Sequence, residues 1–192
     1  MAENATAFPL PADLPRPVDD GAANHLPGMA MPPIELRSTG GRSVDLSKLP
    51  AARTAIYCYP MTGVPGQPLP NGWDAIPGAR GCTPQACGFR DHHEELLALN
   101  TEVFGLSTQN PEYQLEMATR LHLPFEVLSD GAFEFCDALR LPTLTVEGVR
   151  LVKRLTLIVR DQKIEHVLYP VFPSNESASE VLKWLRAHPI SK

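Results

Sequence analysis

The run Gly81-Cys82-Thr83-Pro84-Gln85-Ala86-Cys87-Gly88-Phe89-Arg90-Asp91 sets two thiols five residues apart at the start of a predicted helix. Thr83 suits an N-cap, and Pro84 suits the first helical position, where an amide hydrogen would have no intrahelical partner. Downstream, Cys82, Ala86, Phe89, His93 and Leu96-Leu97 recur at spacings of three and four, which predicts one helix with that face buried. The amides of a first helical turn carry roughly half a positive charge and favour an anion placed before them. Cys82 is therefore a candidate nucleophile.

Cys87 has a separate meaning. Along an unbroken α-helix five residues turn roughly 140° and rise about 7.5 Å, leaving the Cα atoms about 8.5 Å apart. A disulfide needs them within about 7 Å. The pair can bond only if the first turn unwinds, so oxidation is expected to change the shape of this segment.

Upstream, residues 54–59 are nearly all apolar, as in a central strand covered on both faces. Residues 34–36 and 43–46 alternate apolar and polar around Thr39-Gly40-Gly41-Arg42 and predict a β-hairpin. Between these elements and Cys82 lies a Pro- and Gly-rich loop, 61–81, expected to fold beside the nucleophile with Trp73 and Ile76 as anchors. Residues 1–33 hold seven of the twenty prolines and the acidic pair Asp19-Asp20. They predict an arm, its composition favouring mobility over a course along the body through Phe8, Leu10 and Leu26.

Downstream, the pattern predicts a strand at 103–107, a helix at 111–121, a strand at 125–128 and a short helix at 131–139. A hairpin at 155–159 and 163–168 turns across Asp161-Gln162, and an amphipathic helix at 177–186 closes the chain. Strands separated by helices and finished by a hairpin and helix give an α/β sandwich: a central mixed sheet flanked by helices, in thioredoxin-like order.

The 192 residues are 43% hydrophobic, enough for one domain, here 34–190, with the arm 1–33 and the inserted loop as extras. A formal charge of −5 gives no electrostatic basis for holding nucleic acid or an anionic membrane. No apolar run approaches the roughly 18 residues of a membrane span, and the N-terminus lacks a basic region followed by an apolar one; the expected location is the cytoplasm. With this much core the four cysteines are not needed as staples. Cys58, inside the apolar run, and Cys136, on a short amphipathic helix, read as inert core thiols.

The segment 81–91 resembles the active-site segment of the bacterioferritin-comigratory, or Q-type, peroxiredoxins. Two later stretches are similar in order and spacing to that family's closing hairpin and last helix: Lys153-Arg154-Leu155-Thr156-Leu157-Ile158, and Ile164-Glu165-His166-Val167 leading to Val181-Leu182-Lys183-Trp184-Leu185. The likeness covers roughly residues 32–188 and implies the thioredoxin-like peroxiredoxin fold. It implies a thiol peroxidase in which Cys82 is peroxidatic, Cys87 resolves it through an intramolecular disulfide, and Arg154 holds thiolate and peroxide, steadied by Gln85. The implied partners are a hydrogen peroxide or organic hydroperoxide substrate and a thioredoxin-type reductant, with no cofactor or metal and a monomeric or homodimeric chain.

One departure from the family keeps a second reading open. The relatives carry a proline seven residues before the peroxidatic cysteine and a Thr or Ser three before it that touches the peroxide; here these are Ala75 and Ala79. Thr62, at the start of the loop, is the candidate replacement, with Thr83 the competitor, so Thr62, Thr83 and Gln85 are the substrate-side candidates. If no hydroxyl replaces the missing one, a redox sensor or disulfide-exchange protein on the same fold becomes the alternative. A metal module using Cys82, Cys87, His92 and His93 is a further reading, opposed by geometry: side chains spanning three turns of one helix point different ways.

Overall fold

The computed structural model describes residues 10–49 and 52–190. In chain order its elements are β1 (Glu35–Ser38), β2 (Ser43–Asp45), β3 (Arg53–Cys58), α1 (Cys82–Asp91), α2 (His93–Ala98), β4 (Thr101–Ser107), α3 (Pro111–Arg120) and β5 (Val127–Ser129). They continue with α4 (Glu134–Leu139), β6 (Thr143–Val146), β7 (Val149–Val152), β8 (Leu155–Arg160), β9 (Lys163–Leu168) and α5 (Ser177–Ala187). A seven-stranded mixed sheet runs β2-β1-β5-β4-β3-β8-β9, and β6-β7 forms a separate hairpin. This is the thioredoxin-like sandwich that the sequence predicted. No described helix is long and apolar enough to cross a membrane.

All six residues of β3 are buried. It pairs in parallel with β4 and antiparallel with β8, which sets Ile56 opposite both Phe104 and Leu157. Because side chains alternate across a strand, Ile56 and Cys58 enter one core with Leu26, Phe135 and Leu139. Ala55, Tyr57 and Tyr59 enter the other, where α1 and α5 contribute Ala86, Phe89, Val181 and Leu185. Phe89 stacks on Tyr57 with ring centroids 4.4 Å apart, fixing how α1 lies across the sheet.

Four sequence expectations change. The arm is not loose over its described part: Ala23, Leu26 and Met31 are buried in the core and Ala30 bridges to Lys163, so packing begins well before Ile34. Composition missed this because a few well-placed apolar residues suffice to anchor a polar segment; Phe8 lies outside the described residues. Second, the helix after Cys82 breaks at His92, whose ring takes Glu95 as partner at 2.7 Å. Past the break Leu96 stays fully buried, whereas Leu97 is 46% exposed.

Third, the hairpin β6-β7 was not foreseen, although Thr143-Leu144-Thr145-Val146 and Val149-Arg150-Leu151-Val152 flank a two-residue Glu147-Gly148 turn with positive φ at both positions. Its Val146 and Leu151 pack with Trp73 and Ala79 of the loop, so the loop carries a small core of its own. Trp73 is buried in it and Ile76 packs against it. Fourth, Thr83 does not cap α1, for the reason given below.

Candidate active site

Three elements meet where β3 ends. The chain leaves Tyr59, makes the loop and returns as α1. The register that sets Cys58 opposite Leu155 puts Arg154, the residue before β8, at the same end of the sheet. Ser177, the first residue of α5, reaches α1 from the far end of the sequence.

The cap of α1 is Gly81, in the left-handed region at φ +104, and no side chain caps the helix. A Cβ at Gly81 would stand 2.0 Å from Ser174 Oγ, so both the backbone and the space require glycine. The Gly81 carbonyl accepts from Gln85 N at 3.0 Å, which starts the helical ladder one residue before Cys82 and makes the Thr83 hydroxyl superfluous as a cap. Cys82 thus sits inside the first turn rather than ahead of it. Pro84 has no N–H and Gln85 N is engaged, so the first-turn amides left without an intrahelical acceptor are those of Cys82 and Thr83.

Cys82 is 4% exposed, with its Sγ 3.1 Å from Arg154 Nη2 and 3.6 Å from the Ala79 carbonyl. Arg154 is equally buried, and every other group it donates to is uncharged. Nε donates to the Gly78 carbonyl at 3.1 Å, and Nη1 donates to Gln85 Oε1. Nη2 is shared with the carbonyls of Ala79 and Arg80 at 3.0 and 3.3 Å. Among the described residues Arg154 forms no ion pair with a carboxylate. Gln85 is itself fully buried, and its Nε2 donates to Ser177 Oγ at 3.2 Å. Gln85 therefore joins Arg154 to the start of α5. Ser177 was missed by sequence reading, since nothing local links residues 92 apart.

Thr62 and Thr83 both line the cleft onto which Cys82 opens. The Thr62 hydroxyl, however, donates to Gln109 Oε1 at 3.3 Å, and Gln109 Nε2 returns a bond to the Thr62 carbonyl at 3.1 Å. Thr62 is thereby committed to closing the loop base, and Gln109, not the Cys82 sulfur, is its partner. The loop end supplies backbone instead: Ala79 contributes its carbonyl to both Cys82 and Arg154.

Cys87 follows on the same helix, half-buried, and all four cysteines are free thiols. Burial pushes the Cys87 thiol up, partly offset by the positive charge of Arg90. Burial also pushes Cys58 and Cys136 far above the range in which a thiol ionises readily, as expected of core residues. His92 pairs with Glu95, and the His93 ring lies 5.6 Å from that of Phe125. Among the described residues no three of His, Cys, Asp and Glu converge on a point that could hold a metal.

The Redoxin family model matches residues 26–183. The chain is 30% identical over 167 residues to "Peroxiredoxin Bcp" of Escherichia coli K12, covering 84% of this chain and 96% of that one. It is 33% identical over 134 residues to the chloroplastic peroxiredoxin Q of Oryza sativa subsp. japonica, covering 67% of this chain and 55% of that one. The crystal structure of peroxidoxin BcpB from Mycobacterium tuberculosis superposes with a TM-score of 0.69 at 25% identity, over 85% of this chain and 99% of that chain.

Proposed function

The chain belongs to the redoxin family and is a peroxiredoxin peroxidase, and on that premise we propose that Cys82 is its peroxidatic cysteine, Cys87 its resolving cysteine and Arg154 the group that holds the charge. The observation that carries this is the buried Arg154 guanidinium, with no carboxylate partner among the described residues and one N–H 3.1 Å from the Cys82 sulfur. A buried cation without an anion is costly. Here that charge faces the Cys82 sulfur and the space beside it, where the reaction places negative charge.

The thiolate attacks the terminal oxygen of ROOH; an S–O bond forms as the O–O bond breaks. Cys82 becomes a sulfenic acid, and RO⁻ leaves to take a proton as the alcohol. Arg154 and the amides of Cys82 and Thr83 face the charge that moves from sulfur to the departing oxygen. Once the first turn of α1 opens, the Cys87 sulfur displaces hydroxide from the sulfenic acid. The products are the Cys82–Cys87 disulfide and, with the thiol proton, water. A thioredoxin-type dithiol then reduces the disulfide by exchange, which suits a reducing compartment such as the cytoplasm. All three groups are on one chain, so a monomer suffices. Disulfide exchange would use Arg154 only to face a sulfur, whereas peroxide cleavage also uses it for the departing oxygen.

Replacing the two cysteines separates their roles. Cys82→Ser should abolish peroxide consumption. Cys87→Ser should react once and stop at a sulfenic acid visible by mass or dimedone labelling. A Cys82→Ser protein that still turned over would remove the assignment.

A further inference from the structure

The arm reaches the active site twice. Leu10 lines the cleft onto which Cys82 opens, while Arg16, Pro17 and Val18 line a second cavity of ≈ 320 Å³ that has Arg154, and not Cys82, in its wall. Gly78 of the loop is part of the same wall; a Cβ there would touch Pro17 at 3.5 Å, and its carbonyl accepts from Arg154 Nε at 3.1 Å. Residues 16–18 lie outside the segment matched by the family model, so the family's common framework does not supply this side of the cavity.

Three cations line the cavity, and no acidic side chain among the described residues does. Lys153 is already held by Asp20 Oδ2 at 2.9 Å, and Asp20 Oδ1 accepts from the Tyr169 hydroxyl at 2.8 Å, which fastens the arm over the cavity. Arg16 and Arg154 have no carboxylate partner among the described residues. The Arg16 guanidinium is exposed and rests 5.2 Å over the Phe172 ring, whereas Arg154 is buried. The remaining wall is largely apolar, with Ile76 and Leu144 half-buried and Val171 buried. The volume is at the lower end of the range of about 300–1,000 Å³ typical of small-molecule pockets. It suits an anionic head carried on a short apolar body.

We propose that this cavity binds a small amphiphilic carboxylate, and that the bound ligand restrains peroxide reduction by drawing on the charge of Arg154. The binding stands on the cavity alone; the restraint rests on the role given to Arg154 under the proposed function. A carboxylate set against the guanidinium offsets the charge presented to the departing oxygen, and the barrier rises.

The probe is octanoate, titrated calorimetrically into the reduced protein, with octan-1-ol as the neutral analogue and acetate as the head alone. Octanoate should bind once per chain and at least about tenfold more tightly than either. Arg16→Glu, at an exposed position where no core is disturbed, should weaken octanoate by about tenfold, since a repulsion replaces an attraction. In stopped-flow kinetics, saturating octanoate should slow hydrogen peroxide reduction by wild type about fivefold, and the same concentration should slow Arg16→Glu less. Octan-1-ol or acetate binding as tightly as octanoate overturns the proposal. So does an unchanged octanoate affinity in Arg16→Glu, which is the outcome expected if octanoate enters the Cys82 cleft, where Arg16 is absent from the wall. Octanoate that binds through Arg16 and leaves peroxide kinetics unchanged overturns the restraint. A protein that binds octanoate in this way but consumes no peroxide supports the cavity and overturns instead the catalytic role of Arg154.

Discussion

Two arginines are buried in this sheet, and they are treated in opposite ways. Arg53, at the start of β3, is 2% exposed. It is held by both oxygens of Glu165 at 2.7 and 2.8 Å, donates to the His188 carbonyl at 2.6 Å, and lies 5.1 Å over the Trp184 ring. Arg154, just before β8, is 4% exposed and has carbonyls, one amide and a sulfur instead. The first arginine is neutralised where it stands and ties the last helix to the sheet. The second has no carboxylate partner among the described residues and faces the Cys82 sulfur instead. Burial alone does not separate the two arginines; the missing carboxylate does.

Removing Arg154 should give the largest effect. Arg154→Ala is expected to lower kcat/KM for peroxide by about 10²–10³, the usual cost of losing a donor aimed at developing negative charge. Arg154→Lys should recover only part, because an ammonium lacks the fork that serves Gln85 and sulfur together. Stopped-flow peroxide kinetics would show it, and unchanged kinetics in Arg154→Ala would erase the contrast with Arg53.

Arg53→Ala is expected to act on stability instead, lowering it by about 2 kcal/mol through lost charge-assisted bonds, since Glu165 is partly open to water and recovers some hydration. Denaturant titration measures the loss, and peroxide kinetics should stay close to wild type. Next in size is Gln85→Glu, which places a carboxylate on Arg154 and so makes it resemble Arg53. Peroxide reduction should slow by about tenfold, equivalent to about 1.4 kcal/mol of barrier, while Gln85→Ala would slow it less. A Gln85→Glu variant as fast as wild type would show that the charge on Arg154 does not need to be free.

The smallest effect is one of pH. Hydrogen bonds from Arg53 hold the Glu165 carboxyl below its ordinary value of 4.5. A lowered carboxyl contributes stability that is complete above that ordinary value and is lost as pH falls through the lowered one. Arg53→Ala should therefore show a shallower loss of stability below about pH 4.5 than wild type, whereas Arg154→Ala should follow the wild-type slope. Thermal melts across pH 3–6 would check both.

Much of this was legible in residue order because the signals are local. The buried run of β3, the Asp161-Gln162 turn and the periodicity of α5 each depend on neighbours a few positions away. The placing of Cys82 and Cys87 on one helix was legible for the same reason: helical geometry follows from spacing. Even so, the cap was misread, because Gly81 is required by Ser174, a residue 93 positions later that presses on it from the far end of the chain.

What residue order by itself determined is the alternation of strands and helices and the place of two thiols at a helix start, since backbone dihedrals and apolar period act over a turn or two. Only the tertiary structure decided which arginine goes unneutralised, that Ser177 holds Gln85, that Thr62 is given to Gln109, and that Leu10 returns to the cleft over Cys82. Those contacts join residues from 47 to 92 positions apart or bring the arm back to the loop. The chemistry of a side chain at such distances depends on which partners the packed sheet delivers to it, and no local pattern carries that information.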